Sequence, residues 1–151
     1  TALEVSTDTS VTILSEAKRS QNDSSGTIAT PNQWYSSIVQ HGDKYGRTLG
    51  FPTANLDPAV LKHVTEDGVY ACTVHLGREK YRGALYLGPR IVLHETKRVL
   101  EIHIINFAQE VYGETLQFQL GPFIRPPLDF DDLDALKAQF ARDIAAASAA
   151  P

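Results

Sequence analysis

The chain of 151 residues contains no methionine, a single cysteine (Cys72) and a single tryptophan. One cysteine excludes a framework of internal disulfides and is typical of a reducing compartment, so we expect a cytoplasmic protein. Because no methionine is present, we expect a chain that was processed or cut from a longer one. The sequence also lacks an apolar run near the roughly 18 residues of a membrane span and a secretory signal pattern, so no membrane partner is expected.

Basic charge is also scarce. Lysine and arginine number 14 against 18 aspartate and glutamate residues, which gives a net charge of −4. Because nucleic-acid-binding domains are usually basic, this balance argues against a nucleic-acid partner. The Gly-x-x-x-x-Gly-Lys-Ser/Thr loop of P-loop proteins is absent, so a nucleotide would have to be held in another way. The five histidines show no zinc-ligand spacing.

Composition and length indicate one globular domain. Apolar residues make up 42% and charged residues 21%, which are ordinary globular values. Residues 1–32 are rich in Ser, Thr, Asp and Asn, and we predict an N-terminal extension or linker that is partly disordered. Only residues 11–14 in it could add an edge strand. Residues 33–151 are predicted to form the folded domain.

Short apolar runs broken by turn residues predict a β-sandwich or β-barrel. The predicted strands are 34–41, 69–75, 81–87, 98–107 and 114–120, with a break at Gly88–Pro89 and a resumed strand at 91–94. A short helical turn is expected after Asp57. A C-terminal helix is predicted from apolar residues at three- and four-residue steps, which are Leu133, Leu136, Phe140, Ile144 and Ala147. This apolar stripe should pack on the outside of the barrel or close one end of it.

Residues 46–56 read Gly-Arg-Thr-Leu-Gly-Phe-Pro-Thr-Ala-Asn-Leu and form the most informative stretch. Pro52 favours an extended segment, in which Thr53 and Asn55 point to the same side. Their neutral oxygens, beside the basic glycine-containing loop 42–47, suit a phosphate group that carries hydrated Mg²⁺. The competing interpretation is a surface turn, because Gly, Pro, Thr and Asn are ordinary turn residues.

Two charged side chains stand out in apolar surroundings. Glu101 lies in the strand predicted at 98–107, whose two faces are both mainly apolar, and a positioned glutamate there can accept a proton. It could instead be the partner of a nearby cation, which would be Arg90, Lys97 or Arg98. His103 shares the face of Glu101 and either borders a site or is a satisfied core histidine.

Arg125 is the second of these charged residues and is flanked by apolar residues and prolines. A guanidinium fixed by such a stiff loop can stack on a planar ring or donate hydrogen bonds to its carbonyls. The competing interpretation is a solvated arginine, because arginine is common at surfaces.

The order of residues 46–55 resembles the signature of the riboflavin kinase family, which also occurs as the kinase module of bifunctional riboflavin kinase/FAD synthetases. Weaker matches follow in the family's order at 68–71, 100–103, 111–114 and 124–126, so the resemblance covers about residues 34–147. It implies a six-stranded, antiparallel, Greek-key-like β-barrel with a C-terminal α-helix. The implied activity is transfer of the γ-phosphate of ATP to the 5′-hydroxyl of riboflavin, which yields FMN and ADP.

The resemblance also implies roles for individual residues. Glu101 would be the catalytic base, and Thr53 and Asn55 would hold Mg²⁺. The implied nucleotide-binding residues are Gly42, Lys44, Gly46, Arg47, Pro52 and Thr53. The implied flavin-binding residues are Tyr112, Phe123 and Arg125. The alternative is a flavin- or nucleotide-binding module without efficient turnover.

The sequence departs from the family mainly on the acceptor side. The family's Gly-x-Arg-Pro-Thr-Phe segment is Gly-Pro-Arg-Ile-Val-Leu at 88–93, and its Arg-Pro-Glu is Arg-Pro-Pro at 125–127. The nucleotide signature is intact. We therefore expect ordinary nucleotide binding and altered riboflavin affinity.

Overall fold

The computed structural model describes residues 33–41 and 50–150. The predicted extension 1–32, its candidate strand, and the predicted nucleotide-binding residues Gly42, Lys44, Gly46 and Arg47 lie outside the described residues. The described elements are β1 (Trp34–Ile38), β2 (Ala54–Leu56), β3 (Gly68–Leu76), β4 (Glu79–Pro89), β5 (Arg98–Ile104), β6 (Thr115–Arg125) and the helix α1 (Leu133–Ala149). A 3₁₀ turn follows Asp57, as expected.

The described strands form one antiparallel sheet in the order β1-β6-β3-β4-β5-β2. Just after β1, the amide of Gln40 donates to the carbonyl of Asn55 in β2 at 2.7 Å. This bridge joins the two edges of the sheet at one point, so the sheet curls into a partly closed barrel. The predicted six-stranded antiparallel barrel with a terminal helix is confirmed at this level.

Alternation along β5 separates the core from the outer face of the sheet. Leu100, Ile102 and Ile104 point into the barrel and are buried, while Glu101 and His103 lie on the opposite, outer face and are half-buried. The buried core also includes Leu85 and Leu87 of β4 and Leu116 and Phe118 of β6. Each such side chain contributes about 1.5–3 kcal/mol when it leaves water, so the core fixes which face of β5 points outward.

Two strands include glycine–proline pairs: β4 includes Gly88–Pro89, where a break was predicted, and β6 runs past residue 120, where its predicted strand ends. β4 continues through Gly88, whose φ of 145° suits glycine, and ends at Pro89. β6 continues through Gly121 and Pro122 beside a register shift in its pairing with β3. A bulge accommodates a proline that cannot donate to the ladder.

The predicted strand at 91–94 is wrong, because Ile91–Leu93 form a 3₁₀ turn and His94 adopts a left-handed conformation with φ 57°. Although these residues favour strands, they lie in the short link between the antiparallel β4 and β5. The chain must reverse there, and tertiary context overrides local propensity.

The C-terminal helix packs on the outside of the barrel, across β3 and β4. Asp132 caps its start by accepting a hydrogen bond from the Ala135 amide at 2.8 Å. Leu136 and Ala147 are buried as predicted, whereas Leu133 is 57% exposed. Including Leu133 in the buried stripe was wrong, since the helix has only just begun there. Asp143 is buried in the packed face instead.

Candidate active site

The sequence signature and β5 meet on the outer face of the sheet. Asn55 pairs directly with Glu101 across β2 and β5, so their side chains share a face. The Thr53 hydroxyl donates a hydrogen bond of 3.0 Å to Oε1 of Glu101. Three of the predicted site residues are therefore brought together by one pair of strands.

The Glu101 carboxylate is also held by Arg90, which follows β4. Nε of Arg90 donates to Oε2 of Glu101 at 2.8 Å, and Nη2 donates to the same oxygen. Nη2 also lies 3.4 Å from Oδ1 of Asn55. The two charged side chains are only 15% and 13% exposed. Pairing with Arg90 was one of the alternatives for Glu101, and the structure combines it with a position beside a pocket.

The helix pocket, as we name it, lies between the outer face of the sheet and α1. Its lining includes Phe51, Tyr86, Glu101, Arg125, Leu128 and Phe140. Burial, together with the nearby carboxylate of Asp67, raises the pKa of Tyr86 to about 12, and its hydroxyl donates to the Pro89 carbonyl. This phenol therefore stays protonated at neutral pH. Glu101 is the carboxylate available to this pocket from the sheet.

Arg125 lines the helix pocket, but its guanidinium is bound to the helix. Nε and Nη2 donate to the two carboxylate oxygens of Asp143 at 2.8 and 2.7 Å. Gln139 adds a hydrogen bond of 2.9 Å to the same carboxylate. With side chains 12% and 4% exposed, this bidentate pair joins the end of β6 to the middle of α1.

The loop pocket, as we name it, lies beyond Thr53. Its lining residues include His41, Pro52, Asn55, Phe107 and Tyr112. The rings of His41 and Tyr112 stack with centroids 3.5 Å apart and planes 24° apart. A flat aromatic surface and neutral oxygens therefore face one cleft.

A row of residues crosses the sheet on its outer face and connects the two ends of the site. Paired positions run from Asn55 to Glu101, Tyr86, Val69 and Arg125. Neighbouring strands lie about 4.8 Å apart, so the row spans about 19 Å, with about 14 Å between Glu101 and Arg125. An elongated ligand can therefore reach both ends along one face.

A profile of the family described as "Flavokinase: Riboflavin kinase" matches residues 31–150. The chain belongs to the riboflavin kinase family. It is 41% identical to the bifunctional riboflavin kinase/FMN adenylyltransferase of Escherichia coli (strain K12) over 109 aligned residues. The aligned part is 72% of this chain and 34% of that relative. The chain thus spans about a third of the length of the curated relatives it matches.

Two solved structures show the same fold. One is a Streptococcus pneumoniae protein described as a macrolide-efflux protein, with a TM-score of 0.71 and 27% identity over 92% of this chain and 52% of that chain. The other is riboflavin kinase from Trypanosoma brucei, with a TM-score of 0.55 and 23% identity over 76% of each chain. The second likeness concerns the fold alone.

The three residues that the family resemblance assigns to the flavin lie in different places in the structure. Arg125 lines the helix pocket. Tyr112 lines the loop pocket, on the other side of Thr53. Phe123 lines neither of these two pockets and packs edge-on against Tyr70, with centroids 5.1 Å apart. These three side chains are therefore not brought together. No sequence pattern indicated that Arg90 contacts Asn55 or that Asp143 pairs with Arg125.

The Mg²⁺ ion that the family implies fits the oxygens present. Thr53 and Asn55 offer neutral oxygens beside the Glu101 carboxylate. No three His, Cys, Asp or Glu side chains converge as metal ligands within residues 33–41 and 50–150. Mg²⁺ is usually held by one or two protein ligands together with substrate phosphates, so this donor set suits a metal that arrives with a nucleotide.

Proposed function

We propose that this chain catalyses the phosphorylation of riboflavin by ATP at the ribityl 5′-hydroxyl, with FMN and ADP as products. The observation that carries the proposal is the position of Glu101. Its carboxylate faces the helix pocket and is oriented by Thr53, a residue that lines both pockets. A base next to the boundary between two clefts is what transfer between two bound substrates requires.

ATP is assigned to the loop pocket, with its base near the stacked His41 and Tyr112 and its phosphates near Thr53. Thr53 and Asn55 would hold Mg²⁺, which neutralises phosphate charge when bound. Cradling of the phosphates by loop 42–47 stays a prediction, because that loop lies outside the described residues. The proposed location is the cytoplasm, which the free, buried thiol of Cys72 suits.

Riboflavin is assigned to the helix pocket, with its ring system against the apolar side chains of Phe51, Leu128 and Phe140. The ribityl chain would run along the outer face towards Glu101. Arg125 borders the far end of the pocket, about 14 Å from Glu101 by strand spacing. Asp143 already binds two of its nitrogens, and the third, Nη1, donates to the Pro126 carbonyl at 3.0 Å. Arg125 would therefore act on the flavin through the second hydrogen of Nη1 or through the helix it fixes.

In the proposed step, the 5′-oxygen forms a bond to the γ-phosphorus while the bond from that phosphorus to the β–γ bridging oxygen breaks. The bridging electron pair leaves with ADP, and the hydroxyl proton passes to Glu101. Thr53 and Arg90 bind different oxygens of the carboxylate. Each carboxylate oxygen has two lone pairs, so Oε1 can accept the substrate hydroxyl while both contacts persist.

The Arg90–Glu101 pair also favours a second candidate, a binding module without efficient turnover. A carboxylate that two guanidinium nitrogens and a hydroxyl already hold can be a structural ion pair between β5 and the end of β4, with no part in proton transfer. The two candidates differ in one assay. Mixing the chain with riboflavin, ATP and Mg²⁺ yields FMN if it is a kinase, and yields bound but unchanged ligands if it is a binding module.

The test of the mechanism is Glu101→Gln, which keeps an oxygen acceptor for Arg90 and presents its NH2 to Thr53, whose hydroxyl can accept, but cannot take the proton. Single-turnover FMN formation should fall by roughly 10²–10⁴-fold, while calorimetry shows ADP binding retained. Glu95→Gln is the matched control, because Glu95 is an exposed carboxylate 3.6 Å from Arg90. It should react like the unmodified chain.

Loss of the Glu101 charge also leaves the guanidinium of Arg90 without its main partner. Rates must therefore be expressed per folded molecule, with unfolding in denaturant measured in parallel. A Glu101→Gln variant that is less stable yet keeps its rate per folded molecule would show that the carboxylate is structural.

A further inference from the structure

His103 lies at the boundary between the two pockets. It is on the same outer face of β5 as Glu101, and continuing the β2–β5 register places it opposite Thr53. Both His103 and Thr53 line the helix pocket and the loop pocket. Glu101 lines only the first of these and Asn55 only the second. A group that passes from one pocket to the other therefore passes this imidazole.

The hydrogen bonding of His103 fixes which of its nitrogens is available. Nδ1 lies 2.8 Å from the carbonyl oxygen of Pro52. A carbonyl oxygen can only accept, so Nδ1 carries a hydrogen and donates it. The ring is further positioned by Phe51, whose ring meets it edge-on with centroids 6.1 Å apart. Among the described residues, none is hydrogen-bonded to Nε2.

On the basis of the proposed function, we propose that Nε2 of His103 binds the phosphoryl group during its transfer. For this the ring takes up one proton from solvent at Nε2, so that both nitrogens donate. Nδ1 stays on Pro52, and Nε2–H donates to a non-bridging oxygen of the γ-phosphate. The imidazole forms no covalent bond, and the proton of the 5′-hydroxyl still goes to Glu101.

The chemistry of the reaction explains why such a donor is useful. Negative charge in phosphoryl transfer is spread over the three equatorial oxygens of the transferred group. A donor already held in place stabilises that charge without reorganisation. The bond to Pro52 and the contact with Phe51 provide this placement. Both anchors belong to the signature itself, so the segment that contacts the nucleotide also orients the imidazole.

The competing explanation is structural: His103 merely fixes the Pro52 carbonyl. Two substitutions separate the explanations, because the amide of Asn reaches roughly as far as Nδ1 and that of Gln roughly as far as Nε2. His103→Asn keeps a donor for Pro52 and removes the group at Nε2. His103→Gln keeps a donor at Nε2 and weakens the bond to Pro52.

The experiment measures kcat and KM for ATP–Mg²⁺ during FMN formation by the 151-residue chain. His103→Asn should lower kcat by roughly 10- to 100-fold, the effect of one hydrogen bond to a charged group, with KM little changed. His103→Gln should recover part of that loss. The matched control is His75→Asn, a change of the same chemistry in β3, where the ring packs on Trp34 and lines neither of these two pockets.

The results distinguish the inference from the proposed function. If the unmodified chain forms no FMN, both the proposed function and the inference about His103 are overturned. If the unmodified chain is active and His103→Asn is equally active, the inference is overturned and the proposed function stands. Equal losses in the Asn and Gln variants, accompanied by a lower free energy of unfolding, would also overturn it, because His103 would then be structural.

Discussion

Among single residues, Thr53 has the most connected position in the site. It donates to Glu101, lines both pockets and is opposite His103 in the extended register. Its hydroxyl can donate to the carboxylate and still present a lone pair to a metal ion. One small side chain thus links the proposed base, the metal and the boundary between the pockets.

Replacing Thr53 by Val removes the hydroxyl and keeps the shape of the side chain. We expect Mg²⁺-dependent binding of ADP to weaken at least about tenfold, because altering even an indirect metal contact usually has that effect. The free energy of unfolding should change by no more than about 1.5 kcal/mol, the usual range for one hydrogen bond. Calorimetric titration with ADP, with and without Mg²⁺, measures the first and urea unfolding the second.

Thr53→Ser is the matched control, since it restores the hydroxyl and should bind ADP–Mg²⁺ as the original residue does. An affinity in Thr53→Val equal to that of the unmodified chain would remove Thr53 from the metal site.

Sequence patterns predicted some of these contacts and could not predict others. The convergence of Thr53, Asn55 and Glu101 follows from alternation in two strands, combined with the family resemblance. Arg90 was only one of three possible partners for Glu101, because a turn of unknown shape separates them. Asp143 could not be predicted as the partner of Arg125, since an aspartate in an amphipathic helix is usually solvated.

At the level of elements, α1 is the wall of the helix pocket, and polar contacts fix it to the sheet. Arg125 binds Asp143 in the middle of the helix, and Arg82 donates to the Ala150 carbonyl at its end, at 2.7 Å. The first part of the helix is held by apolar contacts, including Phe140 against Phe51 with centroids 5.6 Å apart. The position of the wall therefore depends strongly on one buried ion pair.

Asp143→Asn should be strongly destabilising, because it leaves the largely buried guanidinium of Arg125 without a counter-charge. Removal of one partner from a buried ion pair typically costs about 3–5 kcal/mol. For a chain of this size that corresponds to a fall in Tm of roughly 10 °C. Thermal unfolding followed by circular dichroism measures the shift, and the affinity for riboflavin should fall in parallel because the wall is loosened.

Asp134→Asn provides the comparison, since Asp134 is an exposed acid in the first turn of the same helix. Its loss should cost no more than about 1 kcal/mol. Equal shifts in the two variants would mean that the Asp143–Arg125 pair does not hold the helix.

The ends of the elements were harder to predict than their existence. Every strand predicted at 34–41, 69–75, 81–87, 98–107 and 114–120 is present, but β4 includes the predicted break at Gly88–Pro89 and β6 continues five residues past its predicted end at 120. Glycine and proline usually interrupt strands. Whether a strand continues through them with a bulge or ends there depends on its partner strand. The local sequence carries no information about that partner.

For the whole molecule, a buried phenol and a buried thiol predict loss of stability at alkaline pH. Burial raises the pKa of Tyr35 to about 12 from 10.0 and that of Cys72 to about 12 from 9.0. Both groups release their protons more easily in the unfolded chain. The folded state is therefore fully favoured below about pH 9, and stability falls as the pH rises towards 12, by up to about 1.4 kcal/mol per pH unit for each group.

Urea unfolding at pH 8, 10 and 11 measures this loss. Cys72→Ala removes the group that titrates first, so the decline should begin nearer pH 10 in that variant. A free energy of unfolding that stays constant up to pH 11 would contradict the prediction.

The row from Asn55 to Arg125 has a consequence for how the chain folds. Its neighbours are at least 15 positions apart in the sequence, and together they draw on β2, β5, β4, β3 and β6. Contacts of such long range form slowly, because each requires closure of a long loop. The Glu101 end draws only on β2, β4 and β5, whereas the Arg125 end also needs β6 and the helix that follows it. The nascent chain can therefore complete the whole site only after β6 and α1 have been made.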